Sequence, residues 1–135
     1  MSGVQDKVQQ HYDEMAEVYD SRYDHRRGRA YYSHISRHVM SHLPRRGKLL
    51  DVGCGTGLFV YRYTSQGGSA VGLDISRGMI TRARARNGSA DFGTGNAEML
   101  PFRDESFDAV ASLLAFSYLK NPEQMLKEAW RVLAP

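Results

Sequence analysis

The chain has 135 residues, 41% of them hydrophobic, with a formal net charge of +3, a pI near 9.1 and one cysteine. That length suits one domain with a real core and leaves no room for a separate substrate domain. The lone Cys54 excludes an intramolecular disulfide, and the longest mostly apolar run, Ala109 to Leu119, is far too short to span a membrane.

Val4, Val8, Met15 and Val18 recur at three-to-four spacing with Tyr12 and Tyr19 beside them, which predicts an amphipathic helix from about Val4 to Tyr19. No secretory signal precedes it, so a cytoplasmic location is expected. Ser21 to Gly28 reads as a polar, basic break, and a second helix is predicted from Ala30 to Leu43, stopping before Pro44. Arg22, Arg26, Arg27, Arg29, Arg37, Arg45, Arg46 and Lys48 crowd this region, where Asp24 is the only acid. A nucleic-acid surface is one reading of that stretch; a solvated helical face is the better one, because no recognised nucleic-acid motif accompanies it. His34, His38 and His42 share a helical face, but the outer two are about 12 Å apart at 1.5 Å rise per residue. One ion cannot bridge all three, and no metal is expected.

Lys48 to Val52 reads as a buried strand that ends in Gly53-Cys54-Gly55-Thr56-Gly57 and runs directly into a helix from Leu58. Alternate glycines let backbone approach a ligand closely, and the N–H groups at the start of the next helix attract an anion. A dinucleotide fold spaces its glycines G-x-G-x-x-G, whereas here the third comes one residue early. Asp51, just before the turn, would repel a pyrophosphate and welcome an ammonium group. A ligand carrying both carboxylate and ammonium is an amino acid.

Asp51-Val52-Gly53-Cys54-Gly55-Thr56-Gly57 resembles the first motif of the S-adenosylmethionine-dependent methyltransferases of class I, with a Rossmann-like fold. The resemblance implies cofactor contacts from Asp51, Gly53, Cys54, Gly55 and Gly57. It also implies that the N-terminal helix, patterned Tyr12-Asp13-x-x-Ala16-x-x-Tyr19-Asp20, lies over the cofactor as part of a lid, making Tyr12 and Tyr19 candidates for contact.

After a glycine C-cap at Gln66-Gly67-Gly68, Ser69 to Asp74 reads as the second strand, and an acid at its carboxyl end can accept both ribose hydroxyls. Ser76 caps the following helix, which runs to Asn87-Gly88. The family's second motif is matched here and implies adenine packing near Ile75 and Met79, although packing of Met79 against the sheet explains it equally well. Ala90 to Thr94 is a third strand. In the loop from Gly95 to Phe102, Asn96 replaces the acid that the family aims at the adenine amino group, and the resemblance implies that the backbone N–H of Ala97 meets a ring nitrogen. An amide oxygen still accepts that hydrogen bond, without charge. Glu98 is either a supporting group or plain loop polarity.

Ala109 to Ala115 is predicted as a buried fourth strand, with Phe116, Ser117 and Tyr118 at its carboxyl end near the methyl group. The Asn-Pro-Pro-aromatic motif of amino methylation on nucleic-acid bases is absent. Asn121-Pro122 opens a last helix, and Met125 to Pro135 resembles the family segment that feeds a fifth strand.

The expected architecture is α/β: a Rossmann-like parallel sheet of order 3-2-1-4, with residues 1–47 as helical cap and 48–135 as cofactor-binding core. The expected function is in-line methyl transfer from S-adenosylmethionine to a small-molecule acceptor. His11, Tyr12, Tyr19 and Tyr118 are candidates for a general base on position alone. The chain is expected to be a truncated form or to cover the flank of strand four by pairing with another copy. Three other readings stay open. They are a non-catalytic binding module, a nicotinamide-dependent oxidoreductase, which Asp51 and the early third glycine argue against, and an RNA methyltransferase.

Overall fold

Leu49, Leu50 and Val52 alternate across a strand, yet all are buried, so β1 (Lys48–Val52) is covered on both faces. The structure, a computed structural model, describes residues 6–14, 26–113 and 119–135. Parallel neighbours flank β1: β2 (Ser69–Asp74) on one side and β4 (Ala109–Ala111) on the other, with β3 (Asp91–Thr94) beyond β2. The order is β3-β2-β1-β4, as expected.

On one face, α2 (Arg26–Met40), α3 (Leu58–Ser65) and α4 (Arg77–Arg86) bury Phe59, Val60, Tyr63, Ile80 and Ala83 against Leu49, Ala70 and Phe92. On the other, α5 (Pro122–Val132) buries Met125 and Val132 against Leu50, Val52, Leu73 and Phe107. Close approach on the first face depends on Gly72: a Cβ there would lie 2.5 Å from the Phe92 ring and 2.9 Å from Cys54 Sγ. An N-terminal helix, α1 (residues 6–14), falls within the predicted span; Val4, Met15, Val18 and Tyr19 lie outside the described residues.

Three boundaries differ from the sequence expectation. The helix predicted from Ala30 begins at Arg26, so the basic break is shorter; arginine is a good helix former and no proline interrupts it. It ends at Met40, and hydrogen-bonded turns carry the chain to Leu43, because the residue before Pro44 disfavours helix. The strand predicted to reach Ala115 stops at Ala111. β4 pairs with β1 from Leu49↔Ala109 to Asp51↔Ala111, near the end of β1 at Val52, and Ser112 and Leu113 are outside the ladder. Residues 114–118, Tyr118 included, lie outside the described residues.

The far edge of β4 is also partly engaged. Phe107 and Leu133 form a parallel bridge, with Ala134 N–H donating to Phe107 O at 2.8 Å. Among the described residues no helix is long and apolar enough to cross a membrane.

Candidate functional site

The turn after β1 is built by three left-handed glycines: φ is +77° at Gly53, +55° at Gly55 and +80° at Gly57. They serve different ends. A Cβ on Gly57 would meet Ala83 Cβ at 3.0 Å and the Phe92 ring at 3.1 Å, so this glycine lets α3 pack on α4. A Cβ on Gly55 would meet nothing within 4 Å. Gly55 therefore borders open space at the carboxyl edge of the sheet, where ligands of such folds gather.

Two carboxyls stand near that edge on adjacent strands. Asp51 is 2% exposed, and its Oδ1 is a buried acceptor with no hydrogen-bond partner. Burial first, then the charge of Asp74, pushes the Asp51 carboxyl up to about 8. Asp74 accepts from Gly55 N–H at 2.8 Å through Oδ2 and from Ser76 N–H at 3.0 Å through Oδ1. Burial raises its pKa, while the N–H groups of Ser76, Gly55 and Ile75 pull it back. Each of its oxygens retains a lone pair for a further donor. The Cys54 thiol is pushed up by burial and by both aspartates, which makes it inert as a nucleophile.

The N-cap of α3 is Gly57, which has no side chain to cap the first N–H groups of the helix. Arg86 Nε donates to Thr56 O at 3.1 Å and ties the turn to α4. The arrangement suits a cation at Asp51, an anion at the start of α3 and hydroxyl donors at Asp74.

The 95–102 loop forms the far rim. Asn96 Oδ1 accepts from Glu98 N–H at 2.9 Å, which shapes the loop, and Ala97 is half-buried beside it. Glu98 is a supporting group: its carboxylate takes the N–H of Asn121, and its carbonyl accepts from Gln124 Nε2 at 3.3 Å. Ile75 is half-buried, whereas Met79 is 1% exposed and packed inside. His11 is exposed with its ring 5.4 Å from that of half-buried Tyr12; Tyr19 lies outside the described residues.

Two sets of residues escaped the sequence reading. Glu128 Oε1 accepts from Leu100 N–H at 2.9 Å, and Arg131 donates to Leu100 O, Phe102 O and Asp104, so α5 clamps the rim loop. The signal was the Glu-x-x-Arg spacing itself. Asp13 of α1 accepts through Oδ1 from Ser76 Oγ at 2.5 Å and Gly78 N–H at 3.0 Å. A contact across 63 residues leaves no local signal. Asp13 also lines, with Asp6, Gln9, Gln10 and Glu14, an open depression of about 580 Å³ along α1.

The family described as "Methyltransferase domain" matches residues 50–135. The biotin biosynthesis bifunctional protein BioHC of Cellvibrio japonicus is 35% identical over 105 residues, which cover 75% of this chain and 21% of that protein. The demethylmenaquinone methyltransferase of Renibacterium salmoninarum is 39% identical over 88 residues, covering 65% of this chain and 37% of that enzyme. The chain thus spans well under half the length of these relatives. Among solved structures, the PH0226 protein of Pyrococcus horikoshii superposes with a TM-score of 0.77 at 32% identity, over 90% of this chain and 61% of that one.

Proposed function

The chain belongs to the methyltransferase-domain family, whose methyl donor is S-adenosylmethionine, and we propose that it binds this cofactor at the glycine turn and transfers the methyl group to a small-molecule acceptor. The observation that carries the reading is the orphaned, buried Oδ1 of Asp51 beside the open cradle at Gly55. A buried acceptor without a partner is costly, and an ammonium group would satisfy it. Asp51 holds the ammonium, the first turn of α3 receives the carboxylate, and Asp74 accepts the ribose hydroxyls. Gly53 and Cys54 supply the backbone of the cradle. Asn96, Ala97 and Ile75 form the adenine rim, and Met79 supports that rim from inside.

Bound there, the cofactor supplies a methyl group already activated on a sulfonium. The chain's own residues have to align the acceptor and exclude water; a base is needed only for an acceptor that arrives protonated. α1 acts as the cap over this edge and carries His11 and Tyr12, the candidates for taking such a proton. A small acceptor is supported by the relative named for demethylmenaquinone. The test is incubation of the chain with methyl-labelled S-adenosylmethionine and a panel of quinones and carboxylic acids. Label in an organic-extractable product supports the reading; cofactor binding without label transfer to any acceptor leaves a binding module in its place.

A further inference from the structure

α1 reaches the candidate site through one carboxylate. Every helix start presents N–H groups without intrahelical partners, and at α4 Ser76 Oγ takes only that of Met79, at 3.2 Å. The N–H of Gly78 goes instead to Asp13 Oδ1 at 3.0 Å, and the Ser76 hydroxyl donates to the same oxygen at 2.5 Å. Ser76 meanwhile donates its own N–H to Asp74 Oδ1 at 3.0 Å. One residue therefore joins α1 to the carboxylate assigned to the ribose. Bringing Asp13 near Asp74 sets two negative charges close together, and the charge of Asp13 pushes the Asp74 carboxyl up. The positive end of α4 and two donors outweigh that repulsion. Asp13 is half-buried, and both bonds come from an element distant in sequence.

We propose that Asp13 is a positioning residue, a latch whose bonds to Ser76 and Gly78 hold α1 across the mouth between β2 and α4, so that bound cofactor leaves only after the latch opens. The inference rests on the reading that this mouth takes S-adenosylmethionine. It assigns Asp13 no contact with the reacting atoms. A purely structural cap would change the melting temperature and leave the release rate alone; a latch changes the release rate first.

The test is the dissociation rate of S-adenosylmethionine from the wild-type chain, Asp13→Ala and Asp13→Asn, followed by stopped-flow displacement. Asp13→Ala is expected to release cofactor roughly tenfold faster or more, while entry through the same mouth also quickens. Asp13→Asn keeps an acceptor oxygen for both donors and is expected to restore most of the slow release. Equal rates for wild type and Asp13→Ala overturn the latch. Hydrogen exchange of the ligand-free chain gives a second readout: residues 6–14 exchange faster in Asp13→Ala and stay protected in Asp13→Asn. Unchanged exchange in Asp13→Ala also overturns the proposal. If the folded wild-type chain binds no S-adenosylmethionine, the cofactor reading falls and the latch with it; if it binds and the rates match, only the latch falls.

Discussion

Asp51 and Asp74 stand at the carboxyl ends of neighbouring strands, and only Asp74 is satisfied: it holds the N–H groups of Gly55 and Ser76, while Asp51 Oδ1 is buried without a donor. Among the described residues no lysine or arginine forms an ion pair with either. The site is thus short of one positive charge, and that shortage drives the first two predictions.

Asp51 has to ionise to receive an ammonium group, and its carboxyl titrates at about 8. S-adenosylmethionine affinity should therefore rise about tenfold per pH unit from pH 6 to 7 and flatten near pH 8, where the ligand's own amine begins to lose its proton. Calorimetry at three pH values checks this. A flat profile for the wild type would mean that Asp51 is not the ammonium partner.

The same carboxyl makes fold stability depend on pH. Its folded pKa lies above the ordinary carboxyl value of 3.8, so between those values the folded state binds the extra proton and stability is lost as pH rises through the window. From pH 6 to pH 8 the ligand-free wild type should lose roughly 2 kcal/mol that Asp51→Asn does not lose. Urea unfolding of both proteins at the two pH values measures the difference.

Gly55 and Gly57 share a backbone conformation and differ in surroundings, so the same substitution should have different outcomes. Gly57→Ala forces a Cβ to 3.0 Å from Ala83 in addition to its strained φ, and should destabilise by about 2–4 kcal/mol. Gly55→Ala meets no protein atom and should cost only about 1–2 kcal/mol of backbone strain while abolishing cofactor binding. Melting curves beside titrations separate the two effects.

Arg131 and Glu128 clamp the rim loop through Leu100 and Phe102. Arg131→Ala should speed hydrogen exchange across residues 95–104 and weaken cofactor binding, with β1 and β2 as protected as before. Equal exchange in that loop would show that the clamp does not order it.

Much of this arrangement was legible in the chain. The strand, glycine turn and helix from Lys48 to Ser65, the second strand to Asp74 and the Ser76 cap of α4 all carry local signals: apolar runs, glycines with positive φ, a hydroxyl at a helix start. Where the outcome depended on distant partners, the pattern failed. Ala109 to Ala115 is apolar throughout, but strand length follows from the ladder that β1 offers, and that ends opposite Ala111. The role of Glu98 depends on where Asn121 lies, and that of Asp13 on the start of a helix 63 residues away. Neither distance is encoded in a spacing.

The central claim, that the space between Asp51, Gly55 and Asp74 holds S-adenosylmethionine, is tested most directly by calorimetric titration of the 135-residue chain and of Asp51→Ala and Asp74→Ala. Micromolar binding to the wild type, weakened by about tenfold or more in each variant, roughly 1.4 kcal/mol apiece, is the predicted result. A folded wild-type chain that gives no heat, or binding that both substitutions leave unchanged, would contradict it.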